Sequence, residues 1–478
     1  MRIEEKRRPA KNERGASLVI ALLASLVLSV LSAGIIFVTQ TETLTTANYK
    51  TLSQARYAAE AGVQRTINWL TNNYTAPTSF ASYNTSPTPV RCVSGCANTG
   101  SIVLSALSGV TSNYPDATVA TAYQTALSNQ ALTGISNASY STSATMNSMT
   151  PGTNPSWLGG GAAVVQTWQI TSQGTIAGIR AATVQVTATY ERSGTPILSY
   201  AVYAAGNGCP AITISSSGST DSYDSSQGTY AGTVQTSGGD LGTNGSLTMS
   251  GSSTIQGNAY LVNVVTTGSC PTKTFTDGSS VGVTGNGGVP IAMGTPKTFS
   301  NPVYTNPSPA LTTNTSYSAA VSLAPGNYNN VTVSGGNTLT LSPGTYNFNS
   351  LKLSGGSQIT VSPAGTVVLQ IAGAGAPAKA LDFSGGSISN AGGSPSSFQI
   401  VYAGSQPITL SGGSNSAAVV YAPNSPITMS GASPWFGSII GSSYTSSGGS
   451  AVHYDRSLAT SLITVGSFRL IGFSWSKF

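Results

Sequence analysis

The stretch Glu13-Arg14-Gly15-Ala16-Ser17-Leu18-Val19-Ile20 decides the fold, because a basic segment ends there against an apolar one. From Ala16 to Val38 the chain has 23 residues without a charge. As a helix this run would be about 34 Å long, enough to cross a bilayer core. Arg2, Lys6, Arg7, Arg8, Lys11 and Arg14 precede it, so residues 1–15 are expected in the cytoplasm and the rest outside. The bland alternative is a secretory signal cut near Ser32-Ala33-Gly34, although the apolar region of such a signal is normally about 7–15 residues. No cysteine lies near the segment, which sets a lipoprotein anchor aside. Beyond Val38 the helical period continues through Leu44, Ala47, Ala55, Ala59, Val63, Ile67 and Leu70 without a proline. This predicts one helix over 16–72, apolar first and amphipathic after, ending at Asn72-Asn73.

Within the apolar part Ala21, Ser25, Ser29 and Ala33 recur every fourth residue, a stripe of small side chains that lets another helix approach closely. An isolated anchor with incidental serines would read the same way. The junction at Gly15 resembles the class III leader of prepilins, in which a dedicated peptidase on the cytoplasmic face cuts after the glycine. Together with Tyr57-Ala58-Ala59-Glu60-Ala61-Gly62, it is similar to the N-terminal region of PilX-type minor pilins over residues 13–72. The resemblance implies prepilin-peptidase processing between Gly15 and Ala16, insertion in the inner membrane, and association with other pilins through the helix. Major pilins carry a glutamate five residues into the mature chain, and this position holds Ile20. An ammonium buried without a partner is costly, so the departure points to a low-copy or tip subunit.

The chain has 478 residues, 55 glycines and only 7% charged residues, too long for one small domain and too poor in charge for an ordinary cytosolic protein. Half of the +6 net charge sits in the leader and the rest is thinly spread, so no basic stripe exists to follow nucleic-acid phosphates. Cys92, Cys96, Cys209 and Cys270 form an even set with no repeated C-x-x-C pattern, and His453 is the single histidine. Two disulfides, Cys92 with Cys96 and Cys209 with Cys270, suit an oxidising compartment better than a metal site does.

Residues 73–163 are polar with scattered prolines and read as an irregular insertion with short helical pieces. Val164–Ile170 and Ala182–Ala188 alternate as an antiparallel β-pair. The pair and the helix predict a pilin-like α+β head over 73–197. Beyond the linker Arg192-Ser193-Gly194-Thr195-Pro196 the composition shifts to Ser, Gly and Thr, and repeats emerge. Pro325-Gly326-Asn327-Tyr328 recurs as Pro343-Gly344-Thr345-Tyr346 at a spacing of 18, and Ser334-Gly335-Gly336 as Ser354-Gly355-Gly356 at 20. Ile408-Thr409-Leu410-Ser411-Gly412 recurs as Ile427-Thr428-Met429-Ser430-Gly431 at 19. Short alternating strands between Ser/Gly turns bury their apolar positions only when stacked. Residues 198–478 are therefore expected to form a mainly-β domain, a right-handed parallel β-helix with an antiparallel β-sandwich as the alternative. The segment also resembles an uncharacterised β-helical domain that follows PilX-type N-termini.

β-Helices often host polysaccharide enzymes, whose chemistry needs convergent carboxylates or bases. Asp221 and Asp240 lie 19 apart, a spacing that would stack them on adjacent coils, although Asp in Gly/Ser turns usually bonds its own backbone. His453 and Asp455 alternate on one strand, but no G-x-S-x-G elbow marks a nucleophile. Cofactor and metal motifs are missing from the sequence. The expectation is a non-enzymatic minor pilin or pseudopilin that primes filament assembly or displays a surface for a glycan or other ligand. Its bulk would be periplasmic or extracellular. The rivals are a membrane-tethered β-helix enzyme acting on polysaccharide and a stationary envelope protein.

Overall fold

A single helix, α1 (Arg14–Asn72), carries the chain from the basic junction to the head. The computed structural model describes residues 14–160, 162–262, 275–304, 313–375, 377–390, 392–413, 416–432 and 434–477. From Leu18 to Val38 the large apolar side chains of α1 are exposed. The segment that follows is rich in threonine, a β-branched residue with modest helix propensity. There Thr39, Thr41, Thr43 and Thr45 each donate a hydroxyl to the carbonyl one turn back, at 2.7–2.8 Å. These bonds satisfy the polar groups inside the helix itself.

The outer half of α1 lies on an antiparallel sheet. Its main strands are β1 (Val103–Ser105), β2 (Ala138–Thr153), β3 (Ala162–Ile176), β4 (Ala182–Pro196) and β5 (Ile463–Lys477), in that spatial order, with the short strand Gln130–Ala131 also pairing with β2. Ala55, Ala58, Ala59 and Val63 are buried against it. The approach is so close that a Cβ on Gly174 would stand 2.1 Å from the Ala55 carbonyl oxygen, and one on Gly62 2.2 Å from Ser172 Oγ. Glycine inside a strand weakens it and often marks such a site. A second helix, α2 (Ala117–Leu127), is capped by the Asp116 carboxylate, which accepts from the amides of Thr118 and Val119. Tyr123 of α2 packs edge-on against Trp69 at 5.2 Å between ring centroids.

The expected β3–β4 pair is present with Trp168 opposite Tyr190. The irregular insertion expected over 73–163 is corrected, because β2, a 16-residue strand, runs through it. Its buried positions include Ala138, Tyr140, Thr142, Ala144 and Met146, while serine and threonine supply many of the others. The contrast in hydropathy that normally reveals a strand is therefore small.

The second domain also ends earlier than the 198–478 expected. β5 leaves it and pairs with β4 along the head sheet, and Ile197 N donates to the Leu462 carbonyl at 3.1 Å. Residues 198–462 are thus an insertion between two neighbouring strands of the head, and β5, one more strand after many in the sequence, carries no local signal that it belongs beside β4.

Every named strand pairing inside that insertion is parallel, whereas the β-sandwich alternative required antiparallel ones. The first coil, with strands at 202–204, 212–214 and 219–223, is followed by coils beginning at 241 and 259. The chain then runs back along the outside of the stack. On the way Lys297 N donates to Asn244 Oδ1 at 2.9 Å, Tyr421 OH to the Ser300 carbonyl at 2.7 Å, and Ala403 N to Tyr304 OH at 3.0 Å. New coils begin near 315 and continue to 439–455, which lies directly on the first coil, Ile439 beside Val202, Tyr444 beside Ile212 and His453 beside Asp221. One file of apolar side chains, Val331, Leu351, Leu381, Ile408, Ile427, Tyr444, Ile212 and Leu247, crosses that join without a break. Each such buried side chain is worth about 1.5–3 kcal/mol.

Two of the three repeats are true rungs. Ile408 pairs with Ile427 at the spacing of 19, and Val331 with Leu351 at 20, the latter leading into turns where Gly335, Gly336, Gly355 and Gly356 all have positive φ. The Pro-Gly repeat at 18 is out of register, since Tyr328 pairs with Phe348 and not Tyr346.

Trp157 joins the head to the insertion. It sits on a 3-10 turn before β3, fully buried, with Nε1 donating to Gln399 Oε1 at 2.7 Å and its ring 4.5 Å from that of Tyr421. Trp157→Ala is expected to cost about 3–5 kcal/mol in urea unfolding. Gly174→Val forces α1 off the sheet and should cost about 2–3 kcal/mol in the same measurement, whereas Gly294→Ala, whose added methyl meets nothing within 4 Å, should change nothing.

Candidate functional site

The first candidate is the exposed apolar half of α1, the one helix among the described residues long and apolar enough to cross a membrane. Gly15 and Ala16 lie in its first turn, while residues 1–13 of the leader lie outside the described residues. Ala21, Ser25, Ser29 and Ala33 are all exposed. Ser25 Oγ donates to the Leu22 carbonyl at 2.9 Å and Ser29 Oγ to that of Ser25 at 2.7 Å, so the stripe presents small groups whose hydroxyls are already satisfied. Ile20 is 66% exposed, and the first carboxylate along α1 is Glu42.

The second candidate is the set of acids and His453 in the insertion. Asp221 Oδ1 lies 2.5 Å from His453 Nδ1, and Tyr230 OH donates to Asp221 Oδ2 at 2.7 Å. Asp240 instead accepts from the amide of Asn258 at 2.8 Å. The stacking expected for Asp221 and Asp240 is not found. Here one coil spans far more than 19 residues, since Ser219 pairs with Thr254 and Val202 with Leu241. The extra length is an excursion containing the short helix Tyr230–Thr233.

His453 and Asp455 do share a strand, but they serve different partners. Asp455 is fully buried and accepts from Ser225 N at 3.0 Å, Ser225 Oγ at 2.5 Å, Ser457 N at 3.0 Å and Ser457 Oγ at 2.8 Å. That geometry closes loops. Burial, reinforced by the neighbouring Asp221, raises the Tyr230 hydroxyl pKa above its ordinary value. Burial also lowers the Lys297 ammonium, which sits over the rings of Tyr200, Phe299 and Tyr203 at 4.7, 5.5 and 5.8 Å.

Cys92 and Cys96 form a disulfide. Cys209 is disulfide-bonded, and Cys270 lies outside the described residues. Among the described residues no three His, Cys, Asp or Glu side chains gather as a metal site. Sequence reasoning missed Tyr230, Trp157 and Lys297. Tyr230 sits in an aperiodic excursion, and Trp157 and Lys297 in connections without strand alternation.

Residues 348–461, the later part of the stack, match the family described as "Domain of unknown function (DUF7305)". No curated protein matches the chain in sequence. Among solved structures the chain is similar to the competence-associated pilin ComZ from Thermus thermophilus, at 13% identity and a TM-score of 0.24, over 90% of this chain and 98% of that one.

Proposed function

We propose that the chain is a minor pilin or pseudopilin of a type IV pilus or related filament. The observation that carries this reading is α1 itself, one continuous helix that offers only apolar and small groups from Ala16 to Val38 and whose outer part is the spine of an antiparallel head. In this reading the prepilin peptidase cuts between Gly15 and Ala16, the N-terminus faces the cytoplasm, and the small-residue stripe packs among other pilins. The bulk of the chain is then periplasmic or extracellular. A carboxylate-free helix from Ala16 to Val38 suits few copies per filament, because it cannot compensate a neighbour's buried ammonium. The insertion, read as a β-solenoid passenger, is held by the head at both of its ends and suits display of an adhesive surface. No catalytic role is proposed for it, since Asp221 and Asp240 take separate partners.

Mass spectrometry of the membrane-associated protein tests the assignment. The chain should begin at Ala16 in cells with an active prepilin peptidase and retain its leader in cells without one, and Gly15→Leu should block the cut. Cleavage near Gly34, or an intact leader in both strains, would overturn the proposal. Deletion of the chain should then either abolish filaments, as a priming subunit requires, or leave filaments that no longer attach.

A further inference from the structure

A cleft of about 570 Å³ opens beside the Asp221–His453 pair, lined by Tyr223, Tyr230 and Phe436 on one side and by small residues such as Gly228, Gly392 and Gly393 elsewhere. Its volume is that of a small-ligand site. The three rings stand edge to face, with Tyr230 5.3 Å from Phe436, Tyr223 5.6 Å from Tyr230 and Tyr223 5.8 Å from Phe436. Tyr230 is fixed from behind, since its hydroxyl is held by Asp221 and its ring lies 4.2 Å from that of His453. A fixed aromatic wall binds without paying to be ordered.

The lining fixes the class of ligand. It carries no charged side chain among the described residues, and two carboxylates stand close behind it, Asp221 on Tyr230 and Asp455 on the lining residue Ser225. Arg456 offsets them from the same side, donating to Ser222 Oγ at 2.9 Å and to the Thr233 carbonyl at 3.4 Å, so the lining favours a neutral ligand. An apolar side chain from a peptide would use the rings but not the polar residues Ser225, Thr229 and Asn390 that line the same cleft. A neutral sugar places its C–H face on an aromatic ring and offers hydroxyls as both donors and acceptors.

We infer that this cleft is a binding site for a neutral saccharide, with Tyr230 and Phe436 as the stacking platform. The inference rests on the passenger's display for attachment and gives that role a location and a ligand chemistry. Isothermal titration of the detergent-solubilised full chain with cellohexaose, maltohexaose, chitohexaose and mannohexaose tests it. At least one should give saturable heat, and Phe436→Ala should weaken it about tenfold or more. Ala231→Trp, which fills the cleft from an exposed position and so spares the core, should do the same with an unchanged circular dichroism spectrum.

Saturable binding by none of the four, or affinity unaltered in both variants, overturns the inference. The mature N-terminus, read on the same sample, separates the two proposals. A chain starting at Ala16 that binds no sugar defeats the cleft alone. A chain with an intact leader whose sugar binding is lost in Ala231→Trp supports the cleft and defeats the filament.

Discussion

The pairing of β4 with β5 governs the architecture, because it obliges residues 198–462 to leave and re-enter the head at one place. Ile197 and Leu462 are hydrogen-bonded neighbours, so the first and last coils of the insertion must lie side by side. A stack that simply advanced from its first coil would end far from its origin. The chain solves this by building away from the head through 202–293, returning along the outside, and building back towards the head through 315–455. The seam between the two runs is closed like any other rung, with Tyr454 OH on the Leu198 carbonyl at 2.7 Å and Ser438 Oγ on that of Tyr200 at 2.6 Å.

The return segment between the runs is held by specific groups and not by composition. Tyr304 OH donates to the Ile371 carbonyl, Val303 N donates to the Trp157 carbonyl at 2.8 Å, and Lys297 rests among three rings. Cation–π contacts of this kind contribute about 0.5–2 kcal/mol each, more as they are desolvated. Trp157 therefore fastens the head, the return segment and the stack at one point.

What the sequence made legible follows from contrast. The extent of α1 could be read because an uncharged run and an apolar period meet no proline, and β3 and β4 because Trp168, Ile170, Val184 and Val186 alternate with polar residues. The same test fails for β2, where the consecutive residues Thr142, Ser143 and Ala144 are all buried and all small or polar, so no alternation stands out. In the stack, the Ser-Gly-Gly and Ile-Thr-x-Ser-Gly repeats gave the register where coils are short and regular. The Asp221–His453–Tyr230 cluster was illegible because Tyr230 comes from an aperiodic excursion and His453 from the last coil, 232 residues from Asp221 on the first. Their meeting depends on the seam, which no spacing announces.

The inserted passenger makes the head dependent on a strand that is made only after it. β4 is synthesised before the passenger and β5 after it, so until residues 439–477 arrive the outer edge of β4 has no partner and one face of the first coil stays open. Exposed edges of this kind invite aggregation or proteolysis, and contacts so distant in sequence form slowly. A truncated or stalled chain thus lacks closure in both domains at once. Membership of any larger assembly that recognises the finished head is in effect conditional on translation through β5, a form of proofreading built into the topology.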